Sequence, residues 1–337
     1  MCIRDSDTPA SNPLDPKNDV IDGGDGRDEL RADAGSVDEN FDQVDSVEIF
    51  TQTSAGTTVL SGDNNAPGTS HAEDAGIDTI NTDFGYTGDD VIDASTFAGD
   101  LTVNFGGGDD VITTGSGNDT FNSEATVTDA DLLDGGVGND TLNLDSDTTL
   151  TVANGITGFE TWNLDTAGNG SNNDIFGNQY NISLSDANTP DINGFPLSPA
   201  TLTIDGSSLS ADVDGIGPDQ AETLMLDGSA VTTFQLDVTS GDANDTITLG
   251  SLNDNVVSGA GNDDIDLFMG NNTFDAGTGN DDVTLGTGND SGTLGAGNDD
   301  LFVTTATLNQ FDGPISGGDG FDSVSYTHLT LPTICSV

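Results

Sequence analysis

Seven positions between residues 245 and 299 lie nine residues apart and carry a carboxylate or its amide: Asp245, Asp254, Asp263, Asn272, Asp281, Asp290 and Asp299. Glycine pairs precede most of them, namely Gly259 and Gly261, Gly277 and Gly279, Gly286 and Gly288, and Gly295 and Gly297. A single carboxylate closing a glycine-rich turn suits the binding of a hard cation. Glycine lets the turn take left-handed conformations and leaves carbonyl oxygens free to face an ion, while Asp supplies the charge. The same unit occurs earlier at Asp28, at Asp110 and Asp119, which are again nine apart, and at Asp140, and it begins once more before Asp322. Closely stacked like charges repel strongly unless a cation lies between them. The alternative is a Gly- and Asx-rich solenoid whose turns are only hydrated.

The elements that must position these acids follow from the rest of the unit. Two residues after the acid comes an apolar side chain: Ile247, Val256, Ile265, Phe274, Val283 and Leu301. With AGTGNDDVT at 276–284 and LGAGNDDLF at 294–302, the pattern resembles the RTX (repeat-in-toxin, haemolysin-type) calcium-binding nonapeptide G-G-x-G-x-D-x-U-x, a β-helix repeat. The resemblance implies an all-β fold, a parallel β-roll or β-solenoid. Six residues of each unit turn and three form a short strand, so two units make one coil, stacked at about 4.8 Å. It also implies several bound Ca²⁺ ions. Residues 18 apart then share a side, giving one ladder of Asp245, Asp263, Asp281 and Asp299 and another of Asp254, Asn272 and Asp290. Ordered ions are expected mainly between Asp263, Asp281 and Asp299, with weaker sites across the neutral Asn272.

A longer period overlies the first. Gly23-Gly24-x-Gly26-x-Asp28 recurs at Gly135-Gly136-x-Gly138-x-Asp140, and Val47-Glu48-Ile49-Phe50 aligns with Phe159-Glu160-Thr161-Trp162 at the same offset of 112. The chain therefore reads as a partial RTX module with degenerate repeats (7–84), a calcium-binding block (85–144), a β-rich spacer (145–240), a calcium-binding β-roll (241–303) and the start of a further module (304–322). The spacer has short alternating stretches about 20 residues apart, such as TLTI at 201–204 and TLML at 223–226. Both a continued solenoid and a small inserted β-sandwich fit it. Residues 1–6 (MCIRDS) and 323–337, with VSYTHLTLPT from Val324, read as a translated sequencing adapter and its reverse complement, and both segments are set aside as artefact. Cys2, Cys335 and His328 lie in them, leaving His71 as the remaining histidine and no genuine cysteine.

Composition bounds the function. Sixty acidic residues, 53 Asp and 7 Glu, face 4 basic ones for a net charge of −56, which excludes nucleic acid and anionic membrane surfaces as partners. No apolar run nears the roughly 18 residues of a membrane helix. With 33% hydrophobic residues and 45 Gly, the chain lacks the apolar content to fold unaided. No G-x-S-x-G or H-E-x-x-H occurs, and Gly-rich loops without Lys do not suit nucleotides. The acid pairs Asp281-Asp282 and Asp299-Asp300 recur as repeat units rather than as a glycosidase pair, Trp162 reads as core, and Thr278 and Thr287 are too few for an ice-binding face. The reading is a non-enzymatic structural or adhesive protein in which calcium binding is coupled to folding, and the resemblance to RTX proteins implies that it is secreted or on the cell surface, exported by type I secretion. Its expected partners are calcium, cell-surface polysaccharide and neighbouring copies of itself. The alternative is the calcium-dependent C-terminal repeat region of a type I secreted hydrolase or toxin.

Overall fold

The computed structural model describes residues 21–32, 44–60, 72, 75–82, 88–123, 125–144, 148–151, 153–164, 179–190, 200–209, 222–303 and 313–326. It divides into two compact units, residues 1–169 with 181–203, and residues 170–180 with 204–337. His71 lies outside the described residues, as do the artefact segments 1–6 and 327–337.

Unit 1 is a parallel β-solenoid. One of its sheets runs through the strands Glu29–Ala32, Ile49–Gln52, Thr79–Asn81, Thr102–Phe105, Thr120–Ser123, Thr141–Leu144 and Thr161–Leu164, each paired in parallel with the next. The other runs through Thr57–Val59, Val91–Asp93, Val111–Thr113, Leu132–Asp134 and Ile156–Thr157. Period-2 alternation sends every second side chain inward. The first sheet thereby stacks Leu30, Phe50, Ile80, Val103, Phe121, Leu142 and Trp162 in one register column, each almost fully buried. Phe121 packs edge-on against Phe105 and Phe159, with ring centroids 6.4 and 5.0 Å apart. Ile92, Ile112, Leu133 and Ile156 form the buried column of the second sheet. Trp162 is thus a core residue, as its place in the repeat suggests.

Outward positions of the first sheet carry a T-x-N pattern on five successive strands, from Thr79-Ile80-Asn81 to Thr161-Trp162-Asn163. Their amides form a chain: Asn163 donates to Asn143, Asn143 to Asn122, Asn122 to Asn104 and Asn104 to Asn81, at 2.6–2.8 Å. In-register amides satisfy one another along the stack, so this face holds its register without charge.

Unit 2 is also a parallel β-solenoid, with the 18-residue coil that two nonads require. Val238, Val256, Phe274 and Gly292 align on one sheet, and Ile247, Ile265, Val283 and Leu301 on the other. Gly292 stands where the repeat calls for an apolar residue. The ring of Phe274 occupies that space, since a Cβ on Gly292 would come within 2.7 Å of it. The strand Ser323–Tyr326 pairs in parallel with Asp300–Val303. The serine-alternating text of the presumed artefact thus extends the ladder, because a sheet edge templates any extended segment that meets its hydrogen-bonding groups.

Strands of the 145–240 stretch pair in parallel with nonad strands inside each unit. Thr161–Leu164 lies on Thr141–Leu144, Thr223–Ala230 on Thr246–Thr248 and Phe234–Thr239 on Asn255–Val257. This is solenoid pairing, whereas an inserted sandwich would be antiparallel. Because the core is built of columns of stacked side chains, the centre of a column should be intolerant. Phe121→Ala is expected to cost about 3–5 kcal/mol, against less than about 0.5 kcal/mol for the outward Thr120→Ala, as measured by urea denaturation at saturating calcium.

Candidate metal centre

Each repeated Asp sits at the end of a turn, just before its strand, and all but the exposed Asp322 are buried. In unit 2 its Oδ1 accepts the N–H of the ladder residue one coil earlier. Asp245 N–H donates to Asp263, Asp263 to Asp281 and Asp281 to Asp299, at 2.9–3.0 Å. On the opposite side Asp254 N–H donates to Asn272 and Asn272 N–H to Asp290, at 2.8 and 2.9 Å. The Asn preceding each Asp works in the reverse sense and at the surface: Asn262 N–H donates to Asn244 Oδ1, Asn280 to Asn262 and Asn298 to Asn280. The Asn-Asp pair of the repeat is therefore two ladders running in opposite directions, which explains why both residues recur together.

Glycine is required because the turns stack backbone on backbone. Gly277 and Gly279 have φ of 86° and 148°, and a Cβ on Gly279 would lie 1.4 Å from the carbonyl oxygen of Gly261. Gly259, Gly261, Gly288, Gly295 and Gly297 share positive φ. Gly286 does not, and its constraint is proximity alone, with the Phe268 carbonyl 1.9 Å from a Cβ built there. Phe268 itself holds φ of 51° where the other turns on its side of the repeat have glycine, a conformation that is costly for a bulky residue.

Hydrogen bonding accounts for only half of several carboxylates. Asp140, Asp281 and Asp299 are fully buried, and their Oδ2 atoms have no hydrogen-bond partner. Desolvation by burial raises every resolved ladder Asp above its ordinary 3.8: Asp140 to about 8, Asp110 to about 7, and Asp119, Asp245, Asp254 and Asp281 to about 6. Asp263 and Asp299 are raised for the same reason. Neighbouring carboxylates add to burial, as Asp263 and Asp299 do for Asp281. Among the described residues no three His, Cys, Asp or Glu side chains converge. A cation at these turns would draw one or two carboxylates and backbone carbonyls, the oxygen donor set of Ca²⁺ rather than the His and Cys set of zinc. The orphaned buried oxygens fit such an ion.

The structure sorts the candidate acids. Asp263, Asp281 and Asp299 form one continuous column. Asp245 and Asp254, which begin the ladders, have both oxygens engaged: Asp245 by the Leu224 N–H and the Ser240 hydroxyl, Asp254 by the N–H groups of Leu236 and Gly250. Asn272 donates its amide to the carbonyls of Leu267 and Met269, at 2.7 and 3.2 Å. An N–H group thus stands where a cation would face those carbonyls, so this rung closes its turn without a metal. Asp290 accepts from Asn272, and Asp322 is exposed and accepts from Asp299 N–H at 3.4 Å. In unit 1, Asp119 N–H donates to Asp140, and the Asp28 N–H is met by Glu48.

Four ladder acids escape the nine-residue pattern. Asp90 donates its N–H to Asp110, which donates its own to Asp131. Glu160 receives the Asp140 N–H at 2.5 Å, in the place that Glu48 has beside Asp28. Asp90 carried a readable signal, since GDDVI at 88–92 repeats at 108–112. Asp131 stands in an Asp-Leu-Leu segment without the glycine turn and carried none.

Against known proteins, the family model described as the RTX calcium-binding nonapeptide repeat (4 copies) matches residues 15–36, 106–125, 128–148, 239–267 and 268–301. No curated protein and no solved structure matches the chain.

Two expectations follow from the carboxylates. Raised folded-state values favour the protonated form, so in metal-free solution these groups stabilise the fold fully below about pH 3.8 and lose that contribution as pH climbs through about 6 to 8. Far-UV circular dichroism without calcium should show β-structure near pH 4 that fades by pH 8. With calcium the trend reverses, because the ion needs the deprotonated form. Separately, Asn272→Asp should make the chain bind more calcium, read by equilibrium dialysis, and lower its stability in chelator.

Proposed function

We propose, from the premise that the chain is an RTX repeat protein, that it is a non-catalytic, extracellular structural or adhesive protein whose solenoid folds when calcium becomes available. The observation that carries this is the column of buried carboxylates whose second oxygens have no partner, with Asp281 and Asp299 on adjacent coils. In neutral solution those groups are desolvated like charges about one strand spacing apart, and burying them ionised is unfavourable. A bound calcium ion supplies the compensating charge. The turns do the rest: glycines bring carbonyls to the site, the Asp N–H ladder fixes carboxylate orientation, and the apolar columns exclude water. Each site filled in the folded state alone adds about 2.7 kcal/mol at a hundredfold excess over Kd, so a few such sites reverse the balance for a chain of this charge.

An extracellular location suits a switch of this kind, because a chain of net charge −56 remains unfolded where calcium is scarce and folds where it is plentiful. Export as an unfolded chain by type I secretion accords with the same property. Among the described residues no helix is long and apolar enough to cross a membrane. The ladder carboxylates are committed to hydrogen bonds between coils, which supports a scaffold over a catalyst.

A far-UV circular dichroism titration tests the reading, with magnesium as the control for charge screening. Calcium alone should drive a coil-to-β transition at pH 7.5, and Asp263→Ala/Asp281→Ala should move its midpoint to at least several-fold higher calcium. β-structure already complete in chelator, or an equal response to magnesium, would sink the proposal.

A further inference from the structure

We propose that the 112-residue module carries its own cation site of a second type, made by an Asp and a Glu on adjacent coils, Asp140 with Glu160 and, in the earlier copy, Asp28 with Glu48; this rests on the calcium reading above. The two copies agree in backbone detail. Ile21 pairs with Val44 as Leu133 pairs with Ile156. Gly23 N–H donates to Asp45 O and Gly135 N–H to Thr157 O, both at 3.0 Å. Gly24 N–H donates to Asp22 Oδ1 and Gly136 N–H to Asp134 Oδ1. The Asp28 N–H meets Glu48 Oε2 at 2.8 Å, and the Asp140 N–H meets Glu160 Oε2 at 2.5 Å. Ser46 and Gly158 hold the same left-handed turn, with φ of 55° and 71°.

The junction differs from a nonad site in one respect. The turn from Gly135 to Asp140 has its full six residues, whereas the turn stacked on it, between the strands Ile156–Thr157 and Thr161–Leu164, has only Gly158, Phe159 and Glu160. A shorter turn brings fewer carbonyls. The extra methylene of Glu lets its carboxylate reach across, and its two oxygens can replace donors that the backbone no longer offers. Asp140 is wholly buried, its Oδ2 has no partner, and Glu160 beside it is 4% exposed. Glycine lets the stacked turn come this close to the pair: a Cβ on Gly135 would come 2.4 Å from the Gly158 carbonyl oxygen and 3.2 Å from the Asp140 carboxyl carbon. A capping role for Glu160 needs an acceptor but no charge. Two carboxylates placed together, Asp140 and Glu160 in the dry interior and buried Asp28 beside half-buried Glu48 in the other copy, call for a cation. Carbonyl and carboxylate oxygens in an irregular shell suit Ca²⁺ over Mg²⁺.

Trp162, the sole tryptophan, is buried two residues beyond Glu160, and so reports on this junction. Terbium(III), a hard-oxygen probe close in size to Ca²⁺, bound there would emit on tryptophan excitation. Glu160→Gln keeps an oxygen for the Asp140 N–H and removes the charge. In the full chain this variant should lose most of the Trp-sensitised terbium emission and about one bound calcium, while the calcium-driven circular dichroism transition remains. Glu48→Gln should lower stoichiometry likewise and leave the emission. Unchanged emission and stoichiometry in a folded Glu160→Gln chain would show that Glu160 only caps Asp140, and would overturn the site. If the unaltered chain bound no calcium at all, the broader reading of the repeats would fail, a result distinct from the first.

Discussion

Coil-to-coil stacking of buried carboxylates is the constraint on which the rest depends. A parallel solenoid repeats every residue at one strand spacing, so any inward acid becomes a column of acids. The molecule meets this by dividing the two oxygens of each Asp. One accepts a backbone N–H from the preceding coil, as Asp281 does from Asp263, and in Asp140, Asp281 and Asp299 the other is left over. The first contact makes the stack specific in register, and the second makes its stability conditional on a counter-charge. Rungs that need no counter-charge are recognisable by how the second oxygen is used, as with Ser240 on Asp245.

Apolar packing plays a narrower part than in most domains. The unit 1 core is made of files of side chains stacked along each sheet, and the outer face of the first sheet is knitted by an amide chain from Asn81 to Asn163. Where an apolar residue is missing, as at Gly292, a neighbour on the adjacent coil fills the gap. Unit 2 is more regular, because its successive coils between Asp237 and Val303 all have 18 residues.

Much of this was legible in the sequence, since a strict nine-residue period leaves few architectures. The ladder of Asp263, Asp281 and Asp299 and the alternation of inward side chains are both written in spacing. The roles of single atoms are not. Nothing in the text distinguishes Asp254, with both oxygens satisfied, from Asp281, with one. Asn272 reads as a weakened ligand, yet its amide turns back onto Leu267 and Met269. Glu48 and Glu160 are invisible to the period because the coil containing them has a shorter turn, and only the 112-residue repeat brings them into view. Outward Thr and Asn columns pass unnoticed for a similar reason, as their coils vary in length.

The direction of the inner ladder gives the stack a polarity. Where the N–H of a ladder Asp meets a side chain, that side chain belongs to the following coil, never to the preceding one, so such a coil is completed by its C-terminal neighbour. Interrupting the array on that side strands a donor in the interior, which costs about 1–3 kcal/mol, whereas an interruption on the other side leaves a carboxylate oxygen that water or an ion can satisfy. The outer Asn ladder runs the opposite way, but its groups lie at the surface where solvent substitutes freely. Order in such a chain should therefore spread more readily toward the N-terminus than away from it, much as a zip closes from the end that holds the slider.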